Sequence, residues 1–224
     1  MSRTILSPQR LKETRKQHIG HIIIFCEGRT EYNYMQYFAR IINKKDKFTD
    51  IKVQLEVVGG NAQTVLNYAN DFLEQKDNNR QYSLYNKCLV FDCDDPKEIQ
   101  QVIVSASKNI NEYSLLISNF IFETWLLFHY ENVIENLTKS KTYRHLEGIL
   151  GLNAYEYSKK KDSVGIIRKI VSTGNIINAI DYAKKLDIKY KNEGKNIFTS
   201  IKDMSPYSNV YELIEQFMVA ITEN

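Results

Sequence analysis

Lys87-Cys88-Leu89-Val90-Phe91-Asp92-Cys93-Asp94-Asp95 passes abruptly from an apolar run into acidic residues. In an α/β protein this is where a buried strand leaves the core and presents carboxylates at its C-terminal end, the edge where open α/β sheets place their ligand clefts. Clustered carboxylates repel one another and lose hydration. A hard divalent cation with a preference for oxygen ligands relieves both costs. Glu27 stands in the same context, directly after Ile22-Ile23-Ile24-Phe25-Cys26. Two acidic strand ends point to one metal site.

Working outward from these two stretches, the first half of the chain alternates strands and helices. Ile22–Cys26, flanked by Gly20 and Gly28, reads as a strand buried on both faces. Residues 30–42 carry Tyr34, Tyr37, Phe38 and Ile41 at helical spacing. Residues 51–58 alternate through Ile51, Val53, Leu55 and Val57, and Gly59-Gly60-Asn61 ends that strand. Ala62–Glu74 is a further amphipathic helix, and 87–91 the third strand. Asp95-Pro96-Lys97-Glu98 is a helix start: Asp95 as N-cap, Pro96 at the first helical position and Glu98 at the capping-box position. That assigns Asp95 to structure and leaves Asp92 and Asp94 for the cleft. A helix to about 109 and a strand over 112–117 follow. This order predicts a mostly parallel, Rossmann-like sheet flanked by helices.

Beyond Ser118 the pattern is helical. Phe122, Trp125, Leu126 and His129 share a face; Ile166, Ile167 and Ile170 mark one helix and Ile176, Ile177, Ile180 and Ala183 the next. A last helix after Ser205-Pro206 buries Val210, Leu213, Ile214 and Phe217. The expected organisation is a basic N-terminal arm over 1–18, an α/β domain over 19–130, and a helical C-terminal region over 131–224 packed on it.

The 224 residues, 43% hydrophobic and 25% charged, are ordinary for a globular chain, and 9 Gly with 3 Pro exclude collagen-like repeats and long flexible linkers. A net charge of +3 does not by itself imply nucleic acid. Arg3, Arg10, Lys12, Arg15 and Lys16, opposed only by Glu13, could form a phosphate-seeking arm or a solvated terminus. Cys26, Cys88 and Cys93 lack metal-binding spacing, which suits a reducing cytoplasm without a zinc site. No signal core and no membrane-spanning apolar run is visible.

Within Glu27-Gly28-Arg29-Thr30-Glu31, Gly28 suits a backbone turn, Thr30 can cap the next helix, and Glu31 suits its positive N-terminus. Glu27 has no such structural role, since an acid straight after five apolar residues is costly to bury. Asn119 reads as an N-cap or a site residue, and Glu123 as a first-turn acid or a site residue. His129 lies six residues past Glu123, ~120° around a helix axis, so the two form no dyad, and His129 reads as a packed core histidine. Tyr157-Ser158-Lys159-Lys160-Lys161 offers lysines to phosphates or is a solvated charge run.

Four pieces together resemble a known family. They are Cys26-Glu27-Gly28-Arg29-Thr30-Glu31-Tyr32-Asn33-Tyr34, Val90-Phe91-Asp92-Cys93-Asp94, residues 118–129 (Ser118-Asn119-Phe120-Ile121-Phe122-Glu123-Thr124-Trp125-Leu126-Leu127-Phe128-His129), and Ser205-Pro206-Tyr207-Ser208-Asn209-Val210-Tyr211-Glu212-Leu213. Glu-Gly after the first strand and Asp-x-Asp after a later one resemble the Toprim metal site of topoisomerases, primases and OLD-type nucleases. The finer text resembles the RloB family of restriction-linked and abortive-infection proteins, departing from it at Met35, Phe120 and Thr124. The resemblance implies a Toprim-like domain and a Mg²⁺- or Mn²⁺-dependent nuclease of phage defence. Asp92 and Asp94 would hold the metal, and Glu27 would complete the site or act as general acid/base. Asn119 and Glu123 would support these groups, and Lys159 and Lys160 would bind phosphate. Nucleic acid is the expected partner. Two alternatives stand beside this reading. One is a non-catalytic accessory or sensor subunit working with a partner ATPase; the other is a metal-dependent enzyme acting on a nucleotide.

Overall fold

A computed structural model describes residues 20–44 and 51–222. The basic arm expected over 1–18 lies outside the described residues. Five strands, β1 (His21–Cys26), β2 (Lys52–Val57), β3 (Asn86–Asp92), β4 (Ser114–Asn119) and β5 (Tyr207–Ser208), form one sheet in the order β2-β1-β3-β4-β5. The first four are parallel and β5 is antiparallel to β4. The chain therefore reverses direction across the sheet between β1 and β3, which makes their carboxyl ends a topological switch point.

The helices are α1 (Arg29–Lys44), α2 (Ala62–Glu74), α3 (Lys76–Tyr82), α4 (Pro96–Ser107), α5 (Glu123–Phe128), α6 (Lys139–Leu150), α7 (Glu156–Lys160), α8 (Val164–Thr173), α9 (Ile176–Asn192), α10 (Ile197–Ser200) and α11 (Tyr211–Thr222). α2 packs on α4, and Phe25 of β1 meets Tyr68 and Phe72 of α2 edge-on. α1 packs with α8 and α11, and α9 with α5 and α11. Ile22 through Cys26 are buried, as a strand covered on both faces requires. The fold is α/β: a mostly parallel sheet flanked by helices, with a helical C-terminal region. Among the described residues no helix is long and apolar enough to cross a membrane.

Local chemistry accounts for most element ends. Asp95 caps α4, its carboxylate accepting from the N–H groups of Lys97 at 3.0 Å and Glu98 at 3.3 Å. Glu98 accepts from the N–H of Gln63 at 3.3 Å, tying α4 to the start of α2. The fourth strand begins and ends two residues later than the alternation suggested. Glu112 is left-handed (φ 51°) in the turn before it, and pairing with Tyr207 carries the strand through Asn119. α5 is buried along its whole length, so its neighbours, not an amphipathic stripe, define it. Gly165, which reads as a turn residue, lies inside α8. Gly174 is a close-approach position, where a Cβ would stand 2.7 Å from the Cβ of His129 and 2.8 Å from the carbonyl of Ile170.

β5, like the helices α3, α6, α7 and α10, is an element the sequence pattern does not announce. Asn209, just beyond it, presents its side-chain amide to the edge of β4, accepting from the N–H of Ile117 at 2.7 Å and donating to the carbonyl of Leu115 at 2.8 Å. The Ser118 and Ser208 hydroxyls meet at 3.0 Å. A two-residue strand and one asparagine thus satisfy an edge that would otherwise leave buried backbone groups unpaired.

Candidate metal centre

Glu27 follows β1 directly. Its backbone N–H donates to the carbonyl of Val90 at 2.9 Å, and its side-chain Oε2 accepts from the N–H of Asp92 at 3.1 Å. The two strand-end acids therefore meet at the β1/β3 switch point. Asp92 is half-buried, but its Oδ1 is enclosed and has no hydrogen-bond partner. Asp94 is exposed, two residues further out, where its charge reaches Glu27.

Two more carboxylates join them. Glu31, in the first turn of α1, is 5% exposed, and Glu123, which opens α5, is 3% exposed. Both stand at helix starts, where the dipole eases but does not cancel the cost of burying an anion. Gly28 is where this packing shows most directly. A Cβ there would lie 2.6 Å from Oε2 of Glu31, so any larger residue would displace that carboxylate, with no positive φ involved.

The electrostatics follow from burial and from like charge. Burial, then Asp94 and Glu98, push Glu27 up to about 7. Burial, then Glu123 and Glu27, push Glu31 up to about 8. Asp92 is raised well above the usual carboxylate range by burial and by Glu31, Glu123 and Glu27, with the backbone N–H of Phe122 opposing the rise. Glu123 is raised by burial, with Lys161 opposing. These acids share one low-dielectric space, so they cannot all ionise together without a cation. Among the described residues, no three His, Cys, Asp or Glu side chains already stand as a group that could hold a metal ion.

The helical region closes over this site. Tyr157 of α7 is buried and donates to Oε1 of Glu123 at 3.4 Å. The Nζ of Lys161 lies 3.9 Å from the same oxygen and 3.8 Å from Oδ1 of Asp162. Asp162 is clipped to the start of α1: Thr30 donates to its carboxylate at 3.0 Å and Asn33 to its carbonyl at 2.7 Å. Thr30 lies within the first turn of the helix it was expected to cap, and its hydroxyl makes this link to Asp162.

The other sequence candidates separate. Asn119 is buried at the end of β4, and its amide donates to the carbonyl of Ile201 at 2.6 Å. It caps no helix; α5 begins without a side-chain cap at Phe122. Lys160 pairs with Glu156 at 2.6 Å on the surface, and Lys159 is exposed beside it. His129 is a core histidine: its Nε2 is 2.9 Å from the Tyr34 hydroxyl, and burial holds it down to about 4.

Glu31 and Lys161 are the residues that sequence reasoning passed over. The helix-dipole role accounted for Glu31, and Lys161 was hidden in a lysine run. The i,i+4 spacing of Tyr157 and Lys161 was the available signal, since it places both on one helical face.

Comparison with curated proteins and with solved structures brings up no match. A family model described as RloB-like protein matches residues 22–217, a span that takes in β1 from Ile22, β2 to β5 and every residue of this site. The chain belongs to the RloB-like family.

Proposed function

We propose that this protein is a Mg²⁺- or Mn²⁺-dependent phosphodiesterase acting on nucleic acid, a Toprim-like enzyme of phage defence. The observation that carries the reading is the convergence of Glu27, Glu31, Asp92 and Glu123 at the switch point, with Asp92 Oδ1 enclosed and partnerless. Native proteins seldom leave a buried carboxylate oxygen without a partner, and an all-oxygen donor set suits a hard divalent cation. Asp92, Glu31 and Glu123 would hold the ion, with Asp94 at the rim. A bound Mg²⁺ would polarise a phosphoryl oxygen and lower the pKa of water.

The chain's own residues supply the rest. Glu27, pushed up to about 7, is poised to exchange a proton near neutral pH, as a general acid or base must. Its Oε2 is engaged by the Asp92 N–H, so Oε1 is the atom to carry that proton. The hydrogen bond also keeps the carboxyl oriented between the strand ends. The test is incubation of the pure protein with single- and double-stranded DNA, RNA and nucleotides in Mg²⁺ or Mn²⁺, beside Asp92→Ala. Metal-dependent cleavage lost in the variant supports the reading and names the substrate. No turnover of any substrate overturns it in favour of an accessory subunit of a partner ATPase, and turnover of nucleotides alone restricts it to a small-molecule enzyme.

A further inference from the structure

A phosphodiesterase faces an electrostatic problem that the strand ends cannot solve. Glu27, Glu31, Asp92 and Glu123 offer acceptors and, when ionised, negative charge, so they repel a phosphate. Hydrogen-bond donors and a cation must come from another part of the fold. Two side chains of the helical region answer this description, and no part of the proposed chemistry yet uses them.

Lys161 follows α7 and is, among the described residues, the one cation within ion-pair distance of these four carboxylates, 3.9 Å from Oε1 of Glu123. Its side chain is 33% exposed, so the ammonium looks inward to Glu123 and outward to solvent. It is also held in place. Asp162, its neighbour, is bonded to Thr30 and Asn33 of α1, and Ser163 caps α8 by accepting from the N–H of Ile166. A lysine fixed at both flanks loses less freedom on gripping a ligand than one on an open surface.

Tyr143 of α6 is the second donor. Its ring packs on that of Tyr157 with centroids 5.1 Å apart, and Tyr157 in turn meets Glu123. The Tyr143 hydroxyl is enclosed and has no hydrogen-bond partner. It lies within electrostatic reach of Glu123, Asp92, Asp162 and Glu31. An enclosed hydroxyl without a partner costs stability, and a phosphate bound beside these acids would supply the missing partner. Lys159 and Lys160 differ on both counts, since both are exposed and Lys160 is paired with Glu156.

The geometry points to Lys161 and Tyr143 as the residues that bind the scissile phosphate, the sheet supplying the acids and the helical region the donors. This rests on the phosphodiesterase reading for the identity of the ligand. Its test is independent of turnover. Fluorescence anisotropy with labelled single-stranded DNA, duplex DNA and RNA of one sequence is measured at fixed salt, with Ca²⁺ in place of Mg²⁺. For whichever probe the wild type binds, Lys161→Met weakens affinity about 10-fold or more, the scale of one lost charge-assisted contact, and Lys161→Arg restores most of it. Lys161→Met costs more than Lys159→Met and Lys160→Met combined. Tyr143→Phe weakens binding roughly 3- to 10-fold, while its melting temperature stays level or rises because an unsatisfied buried hydroxyl is gone. A purely structural Tyr143 would show the reverse.

Wild-type affinity in either Lys161→Met or Tyr143→Phe overturns the inference, as does a wild type that binds none of the probes. The two readings fail separately. Metal-dependent cleavage with Lys161→Met binding unchanged sinks the inference and leaves the phosphodiesterase. Binding that depends on Lys161 and Tyr143 without any cleavage sustains the phosphate site and sinks the enzyme.

Discussion

The carboxylate of Glu27 accepts a hydrogen bond from the backbone N–H of Asp92 at 3.1 Å, so the first acid after β1 is locked to the last residue of β3. The bond orients Glu27 and ties two parallel strands beyond the end of their regular ladder. Glu27→Gln keeps an acceptor oxygen for that N–H, whereas Glu27→Ala leaves it unpaired. In urea unfolding, Glu27→Ala should be less stable than Glu27→Gln by ~1–3 kcal/mol. Both should lose about 100-fold or more of any metal-dependent cleavage, because neither can exchange a proton. Equal stability of the two variants would remove the strand-tying role.

The pH dependence of stability has a definite sign. Glu27 and Glu31 titrate at about 7 and about 8 in the fold, against an ordinary 4.5. Their contribution is full below the unfolded value and is lost as pH rises through the folded ones. His129, held at about 4 against 6.5, works oppositely: its contribution is present above 6.5 and is lost as pH falls through 4. Between these regimes, from pH 6.5 to 8, the glutamates act without opposition from the histidine. Stability in EDTA should fall across that window by up to ~1.4 kcal/mol per pH unit for each proton released on unfolding, and melting temperature should fall with it. Glu31→Gln should flatten the fall, and a rising melting temperature would contradict the assignment.

Asp92→Asn separates structure from metal binding. The substitution removes an enclosed carboxylate whose ionisation is opposed by Glu31, Glu123 and Glu27. Without metal at pH 8, the variant should be more stable by about 1 kcal/mol, a rise of ~2–4 °C for a chain of this size. Saturating Mg²⁺ or Mn²⁺, at about 100 times its Kd, should stabilise the wild type by ~2.7 kcal/mol and the variant hardly at all. A wild type whose melting temperature ignores both ions would argue against the metal centre.

Asn209 can be tested as the closure of the sheet edge. Asn209→Ala strips partners from the Ile117 N–H and the Leu115 carbonyl, both buried. The expected loss in chemical denaturation is ~1–3 kcal/mol for each group left unpaired. Asn209→Asp keeps the acceptor and should lose less at Ile117. A neutral Asn209→Ala would mean that the edge finds other partners.

Strands β1 to β3 and the helices α1 and α2 were legible because each signal is local, whereas the short α3 before β3 was not read. Apolar runs, alternation and the Asp95-Pro96 helix start each act within a few residues, and their order in the chain is enough for a mostly parallel sheet. β5 was not legible: two residues carry no periodicity, and Tyr207–Ser208 is a strand only because β4 offers it an edge. Glu27 and Asp92 stood out because an acid closing an apolar run is anomalous wherever the chain later goes. Glu123 was a candidate because its helix follows the fourth strand, whereas Glu31, Tyr143 and Lys161 lie in or just after helices, where an acid, an aromatic or a lysine is ordinary.

The amino-acid order alone was therefore sufficient for the α/β class, the family resemblance and the two strand-end acids, since these depend on short-range pattern and on the chemistry of single residues. Which carboxylates share one space, which lysine faces them and which hydroxyl lacks a partner depend on burial and on distances of a few ångströms between residues as far apart as Glu31 and Lys161. Desolvation and like-charge repulsion arise only when packing removes water from between such groups, and no spacing along the chain encodes that removal.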